Sequence, residues 1–208
     1  MYALIIDGSI TKYFNHPKGF TLGDIQYPKS IFTLWTASEK AAIGIIEVTF
    51  DNSNKKDETY YINTNQTFTY DADAGTVTAA YGNATPKAHA DTNWTQAQID
   101  DGLAPTGADT DTVATRGLKY NFIQTIKAQA EGLLNQTDWY ITRKAEKNTA
   151  IPSAISTHRD AVRTKQAEME TAITNASDTP ALETLYTYTK QEDGSVTKPL
   201  GELPTLEI

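Results

Sequence analysis

The sequence contains no cysteine. Disulfide bonds, thiolate metal sites and cysteine nucleophiles are therefore excluded from its chemistry. It also contains no run of about 18 apolar residues, the length that predicts a membrane-spanning helix, so we expect no membrane insertion. Residues 1–7 have neither a basic stretch nor a long apolar segment, and they do not predict a signal peptide.

Positive charge is scarce as well. There are 18 Lys and Arg against 26 Asp and Glu, which gives a net charge of −8. Because binding to a phosphate backbone needs clustered Lys and Arg, nucleic acid is not expected as a partner. Hydrophobic residues make up 39% of the chain, so the expected core is modest. Threonine is abundant, with 32 residues, and this β-branched side chain suits exposed strand faces.

Motifs that carry catalysis or bind cofactors are absent from the sequence. It has no His-Glu-x-x-His pair, no Gly-x-x-x-x-Gly-Lys loop and no Gly-x-Ser-x-Gly turn. Residues 71–75 resemble the start of a calcium loop but lack the bidentate Glu, and a hairpin turn explains them better. The three histidines, His16, His89 and His158, have no zinc-site spacing. We therefore expect no catalytic, cofactor-binding or metal site, and we do not expect an enzyme.

Residue patterns divide the chain into four segments. Residues 1–83 predict a β-rich domain, 84–115 an acidic linker or extended arm, 116–190 a helical hairpin domain and 191–208 an extended C-terminal tail. The expected fold class is α+β, with an N-terminal antiparallel β-rich domain followed by a C-terminal antiparallel helical hairpin.

The first segment contains a strong hairpin signal. Asp7-Gly8 joins two strand-like runs, Tyr2–Ile6 and Ser9–Phe14, and both turn positions favour residues that accept a positive φ. Further strands are expected at residues 45–50, 59–62, 67–70 and 76–81.

Two serines are placed to cap helices. Ser38 precedes a short helix over residues 39–43, which Gly44 would end in the left-handed conformation. Ser153 follows a proline that breaks the preceding helix, and it would cap a helix that runs to about residue 176.

The middle of the chain is divided by charge. Residues 88–115 contain five Asp and no Lys or Arg, whereas residues 116–165 have nine Lys or Arg against four Asp or Glu. These parts can attract one another within a protomer or between protomers, or each can be solvated. Trp94 stands out in the acidic stretch, because a large aromatic is more useful as an anchor than in solvent. It either contacts a partner or packs back onto its own domain.

From Arg116 onward the apolar residues recur with helical spacing. The face of the first helix consists of Leu118, Phe122, Ile126, Ala130 and Leu133. The later helix repeats an apolar residue every seven positions, at Ile155, Val162, Met169 and Ala176. An intramolecular antiparallel hairpin of the two helices is favoured over an intermolecular helical bundle, since the remaining seam positions are poor. Pro180 fits the first turn of a last short helix.

The connection between the two helices carries the most distinctive side chains. Thr137-Asp138 can form a turn, and Trp139 is large enough to plug the gap between the helices. Arg143 and Glu146 are one turn apart and can pair.

Two arginines of the later helix can also reach across this corner. Either Arg159 or Arg163 can contact an acid there, and burial would strengthen a bidentate contact. The acids within reach are Asp138 and Glu146. The candidate structural and interaction residues are therefore Trp94, Leu133, Leu134, Asp138, Trp139, Arg143, Glu146, Arg159 and Arg163.

Two blocks of residues carry a resemblance to a known family. The first reads Leu133-Leu134-x-x-Thr137-Asp138-Trp139-x-x-x-Arg143-x-x-Glu146, then Ile151-Pro152, then Arg159-x-x-Val162-Arg163. The second reads Thr21-x-Gly23-Asp24-x-Gln26-Tyr27-Pro28, followed by Ser38-Glu39-Lys40-x-Ala42-x-Gly44-Ile45-x-Glu47-Val48. Together they cover about half of the chain, and they resemble small tail or tail-fibre-associated proteins of tailed bacteriophages, of the marine cyanophage and pelagiphage type. His158 stands where that pattern usually has a tyrosine.

The resemblance implies a role as a structural protein of the phage tail. The expected function is that of a fibre, fibre adaptor or baseplate-peripheral subunit that acts through protein–protein contacts. Its partners would be other phage tail or fibre proteins and further copies of itself, with a trimer favoured. It would be made in the cytoplasm of the bacterial host and would reside in the virion. The alternative is a tail-fibre assembly chaperone that is not retained in the virion.

Overall fold

A computed structural model describes residues 1–206, which form two compact units divided between Thr85 and Pro86. Strands dominate the first unit, and the long helices lie in the second. The predicted α+β class is therefore confirmed. Residues 207–208, the end of the predicted C-terminal tail, lie outside the described residues.

The first unit contains strands and two short helices. Its strands are β1 (Tyr2–Ile6), β2 (Ser9–Phe14), β3 (Phe20–Leu22), β4 (Ile25–Tyr27), β5 (Ile45–Asp51), β6 (Tyr61–Ile62), β7 (Thr67–Asp71) and β8 (Thr76–Ala80). Its helices are α1 (Ile31–Leu34) and α2 (Ala37–Ala42). A further short strand, β9 (Thr85–Pro86), lies at the junction of the two units.

A five-stranded sheet in the order β2-β1-β5-β8-β7 organises the first unit. The predicted hairpin is confirmed, with Asp7 at φ 51° and Gly8 at φ 72° between β1 and β2. The expectation of an antiparallel sheet is wrong in one place, because β5 and β8 run parallel. The chain returns through β6 and β7 before it enters β8, and this crossover gives β8 the direction of β5.

Helix α2 begins two residues earlier than predicted. The cap is Thr36, whose Oγ1 accepts the Glu39 backbone N–H at 3.2 Å, while the Glu39 Oε2 accepts the Thr36 backbone N–H at 2.7 Å. Ser38 lies inside the helix, so its assignment as the cap was wrong. The glutamate three residues after Thr36 completes a reciprocal pair of hydrogen bonds that Ser38 cannot form. Gly44 has the predicted positive φ, at 78°.

Two clusters of buried side chains form the core of the first unit. One is rich in aromatic rings, and its buried members are Leu4, Phe14, Phe20, Ile31, Phe32 and Ile45. The other consists of Ala3, Val48, Val77 and Ala79 on the sheet. Tyr13 of β2 and Phe68 of β7 lie 4.7 Å apart between ring centroids. Since β2 and β7 are the two edges of the sheet, this contact shows that the sheet curls.

The second unit is built on helices. They are α3 (Gln96–Asp100), α4 (Leu118–Asn135), α5 (Asp138–Lys147), α6 (Ser153–Asn175) and α7 (Thr179–Tyr186). Its short strands are β10 (Thr92–Asn93), β11 (Val113–Thr115), β12 (Thr189–Lys190) and β13 (Val196–Thr197).

Helices α4 and α6 form the predicted antiparallel hairpin. Lys119, at the start of α4, donates from Nζ to the carbonyl oxygen of Thr174 at the end of α6, at 2.8 Å. At the other end, Arg159 of α6 donates to the carbonyl oxygen of Leu134 at 2.7 Å. The seven-residue repeat of α6 is buried, as are Ile126 and Ala130 of α4. The repeat therefore belongs to an intramolecular core.

Two expectations for the second unit differ from the structure. Ser153 is the first residue of α6 and does not cap it, because the N-cap position belongs to Pro152, which has no side-chain donor or acceptor. Residues 84–115, expected to be an acidic linker or extended arm, contain an antiparallel pair of β10 with β11 and the helix α3. Thr95 and Gln98 cap α3 reciprocally, and these local hydrogen bonds give order to a stretch that lacks an apolar pattern.

The C-terminal segment also has local structure. β12 and β13 pair as an antiparallel hairpin, where an extended tail over residues 191–208 was expected. Leu200 is buried, and its backbone N–H donates to the carbonyl oxygen of Leu185 at 3.0 Å. One apolar side chain thus fixes this segment against α7.

Candidate functional site

The centre of the helical corner is Arg159, near the start of α6. Only 8% of this residue is exposed. Its Nη1 lies 2.7 Å from each of three oxygens, which are the Leu134 carbonyl, Thr137 Oγ1 and Asp138 Oδ1. A buried cation needs both a counter-charge and hydrogen-bond acceptors, and these oxygens supply them. Arg159 thereby joins the end of α4, the start of α5 and the start of α6, and forms the predicted contact with Asp138.

Thr137 is the second buried polar residue of this corner. It is 2% exposed, and its Oγ1 donates to the Leu134 carbonyl at 3.0 Å while it accepts from Arg159. The last carbonyls of a helix have no partner within the helix, so Thr137 and Arg159 together satisfy one at the end of α4. The sequence pattern predicted a turn at Thr137, but it did not predict that the residue is buried.

Trp139 does not plug the gap between the helices, and that prediction was wrong. The residue is 51% exposed. Asp138 begins α5, and successive residues of an α-helix point about 100° apart. Because the helix directs Asp138 towards Arg159, it turns Trp139 away to the surface. The buried residues between the helices here include Thr137 and Arg159.

Trp139 belongs instead to an exposed aromatic cluster on α5. Its ring centroid lies 3.8 Å from that of Tyr140, and the Arg143 guanidinium lies 4.8 Å above the Trp139 ring. Arg143 therefore makes cation–π contacts with these rings in place of the predicted ion pair with Glu146, which is exposed. Ile141 is also exposed, at 42%, and α5 has no buried residue. Trp139 and Ile141 therefore form an exposed apolar patch on α5, whose other residues are exposed or half-buried.

A cavity of about 270 Å³ opens beside this cluster. We call it the α5 pocket, and its walls are formed by Gln136, Thr137, Trp139, Tyr140, Pro152, Ala154, Ile155 and Leu206. Most of these walls are apolar. A larger concavity of about 560 Å³ is lined by residues of α6 alone, and is an open helix face. The α5 pocket is the more suitable place for an apolar side chain, since three segments of the chain enclose it.

The side chains of the other candidate residues lie outside the buried centre. Leu133 and Leu134 are half-buried near the end of α4. Arg163 is exposed and pairs with Asp160 on its own helix at 3.1 Å, so it does not reach the acids of the corner. Trp94 is half-buried next to β10, where its backbone N–H donates to the Thr112 carbonyl at 3.1 Å.

Asp91 fixes the other end of α4. Its carboxylate accepts the Gly117 backbone N–H at 2.7 Å and the Arg116 Nη1 at 2.6 Å. The hydrogen bond from Gly117, followed by that from Arg116, holds the pKa of Asp91 below its usual value. This is a contact between the acidic stretch and the basic helical part within one protomer, one of the arrangements that the charge pattern allowed.

Within residues 1–206 there is neither a metal-binding cluster nor a membrane-spanning helix. Among residues 1–206, no three or more His, Asp and Glu side chains group closely enough to hold a metal ion. None of the helices in that range is long and apolar enough to cross a membrane. Residues 71–75 form the turn between β7 and β8, in which Asp71 Oδ1 accepts the backbone N–H groups of Asp73 and Ala74 at 3.0 Å. The Asp71 carboxylate therefore stabilises the hairpin turn.

Comparison of the chain with protein-family models, with curated proteins and with solved structures returns no match.

Proposed function

We propose that this chain is a structural component of a bacteriophage tail: a fibre, a fibre adaptor or a baseplate-peripheral subunit. It acts through protein–protein contacts with other tail or fibre proteins and with copies of itself. It is not an enzyme in this proposal. The protein is made in the host cytoplasm and becomes part of the virion.

The observation that carries the proposal is that the block from Leu133 to Arg163 contains both a buried polar corner and an exposed aromatic cluster. This block bears the family resemblance, and its conspicuous polar residues Thr137, Asp138 and Arg159 are engaged with one another in the corner. The neighbouring aromatic cluster is left exposed on a helix without buried residues. A hydrogen-bonded corner with an exposed aromatic surface suits a subunit that binds other proteins.

A tail-fibre assembly chaperone is the second candidate. The exposed Trp139 and Ile141 favour it, because a chaperone must offer an apolar surface to an unassembled fibre. The two candidates differ in where the protein ends up. A fibre or baseplate subunit stays in the particle, whereas a chaperone dissociates.

Mass spectrometry of gradient-purified particles separates the two. We expect peptides of this chain to co-purify with the capsid and tail proteins through the gradient. A replication protein of the same phage, abundant in the lysate, is the control for contamination. If this chain is depleted from particles as strongly as that control, the structural proposal is wrong and the chaperone is favoured.

A further inference from the structure

We propose that the α5 pocket of one copy receives the acidic loop of a second copy, so that copies associate head to tail. The acidic loop is defined as residues 95–111, which close where the Trp94 backbone N–H donates to the Thr112 carbonyl. The proposal deepens the proposed function, since it names the self-contact through which the subunit assembles.

A cation lies beside the α5 pocket, because the Arg143 guanidinium is 4.8 Å from the centroid of the Trp139 ring in the pocket wall. Three cations, Arg143, Lys144 and Lys147, follow the aromatic cluster on the second half of α5, with Glu146 as the acid among them. Lys144 and Lys147 are exposed. An apolar cavity beside a helix segment that carries three cations fits an apolar side chain that is flanked by carboxylates.

The acidic loop has that composition. It contains Asp100, Asp101, Asp109 and Asp111 and no Lys or Arg. Leu103 follows the first two aspartates and is 65% exposed, although it is a large aliphatic side chain. Helix α3, which forms the first part of the loop, has no buried residue. The loop therefore offers an unburied anchor with negative charge on its N-terminal side.

The two surfaces lie at opposite ends of α4. The base of the loop is the β10–β11 pair, which Asp91 and Arg116 tie to the start of α4. The α5 pocket lies beyond the end of α4, which has 18 residues and a length of about 27 Å. No residue of the loop lines the pocket of its own protomer. Complementary surfaces at opposite ends of a unit can meet only between two copies. Repetition of such a head-to-tail contact gives either a closed ring or a filament.

Two variants, each altered at one surface, test the proposal in the full-length chain. The loop variant combines Asp100→Lys, Asp101→Lys and Leu103→Ser, three exposed positions. The pocket variant combines Trp139→Ala, Lys144→Glu and Lys147→Glu. Sedimentation velocity over a concentration series should show oligomers for the natural chain and a complete loss of them for each variant. Added salt should weaken the association of the natural chain, because screening reduces attraction between charges.

Mixing the two variants gives the decisive result. The loop variant keeps its pocket and the pocket variant keeps its loop, so one contact can form in the mixture. We expect a 1:1 dimer that grows no further at higher concentration. A contact formed by two identical surfaces would give no such dimer. A natural chain that stays monomeric, a variant that still forms the oligomers, or a mixture without the dimer would overturn the proposal.

A control variant has the same charge change as the pocket variant and tests for non-specific effects of charge on association. Lys18→Glu with Lys29→Glu reverses two exposed lysines of the first unit, and we expect this variant to form oligomers as the natural chain does. Circular dichroism and thermal melting verify that each variant is folded. Should a triple variant fail to fold, Leu103→Ser alone is expected to weaken association at least tenfold. Failure of this proposal leaves the presence of the protein in virions, which is measured separately, unaffected.

Discussion

Arg159 is a buried cation of the second unit, and its guanidinium contacts three oxygens. Its role depends on the planar guanidinium, which can contact a carbonyl, a hydroxyl and a carboxylate at once. Asp138 remains half exposed, so the ion pair itself contributes little. The larger effect comes from the Leu134 carbonyl and the Thr137 hydroxyl, since buried polar groups are destabilising when they have no partner.

We therefore expect Arg159→Met to lower the free energy of unfolding by about 1–3 kcal/mol. Methionine fills part of the space of the arginine stem but donates no hydrogen bond. Urea denaturation measures the change, and Arg163→Met is the matched control. Arg163 lies one turn further along α6, where it is exposed and pairs with an exposed acid. Equal losses for the two variants would contradict the role assigned to Arg159.

A second comparison tests the exposed position of Trp139. Truncation of a buried aromatic costs about 3–5 kcal/mol, and truncation of a buried isoleucine about 2–5 kcal/mol. Ile173 is fully buried between α4 and α6, whereas half of Trp139 is exposed. Trp139→Ala should therefore reduce the free energy of unfolding by less than Ile173→Ala, although it removes more atoms. The reverse order in urea denaturation would show that Trp139 is part of the core.

Arg159 and Trp139 show which features of the helical corner could be predicted from the sequence. The sequence identified the residues that meet, including the pair of Arg159 with Asp138. It assigned the interior position to Trp139 because size and apolar character are the strongest sequence signals for burial. The direction in which Trp139 points depends on where α5 begins, and a shift of that start by one residue rotates every side chain by about 100°. Sequence patterns locate helix ends less accurately than that.

The turns and helix ends of the first unit obey local rules. Asp7-Gly8 has the expected positive φ values, and so does Gly44 after α2. Such features depend on a few adjacent residues and were predictable. The parallel pairing of β5 with β8 was not, because it joins strands separated by β6 and β7 and depends on how the whole chain returns.

Two glycines in different elements should respond oppositely to alanine. Gly44 has φ 78°, and a Cβ there would overlap the Ile5 carbonyl oxygen, so Gly44→Ala is expected to be strongly destabilising. Gly132 lies in α4 with no atom within 4 Å of an added Cβ, and Gly132→Ala should stabilise the helix by about 0.5–1 kcal/mol. Thermal melting of both variants measures the difference. Destabilisation by Gly132→Ala would mean that α4 is not an ordinary exposed helix at that point.

The chain as a whole joins a small curled sheet to a helical hairpin, each with its own core. Its acidic and aromatic surfaces lie on the second unit, at opposite ends of α4. This arrangement fits the proposed assembly role, because Leu103 on one surface and Trp139 on the other remain largely exposed in a single copy. These exposed surfaces link the proposed self-association to the proposed place in the tail.

The number of copies in each virion tests the central claim most directly. Quantitative mass spectrometry with isotope-labelled peptides gives the ratio of this chain to the major capsid protein in purified particles. The account predicts a fixed ratio that corresponds to a multiple of three copies per particle, as expected for a trimeric tail subunit. Absence from purified particles, or a ratio that varies between preparations, would contradict it.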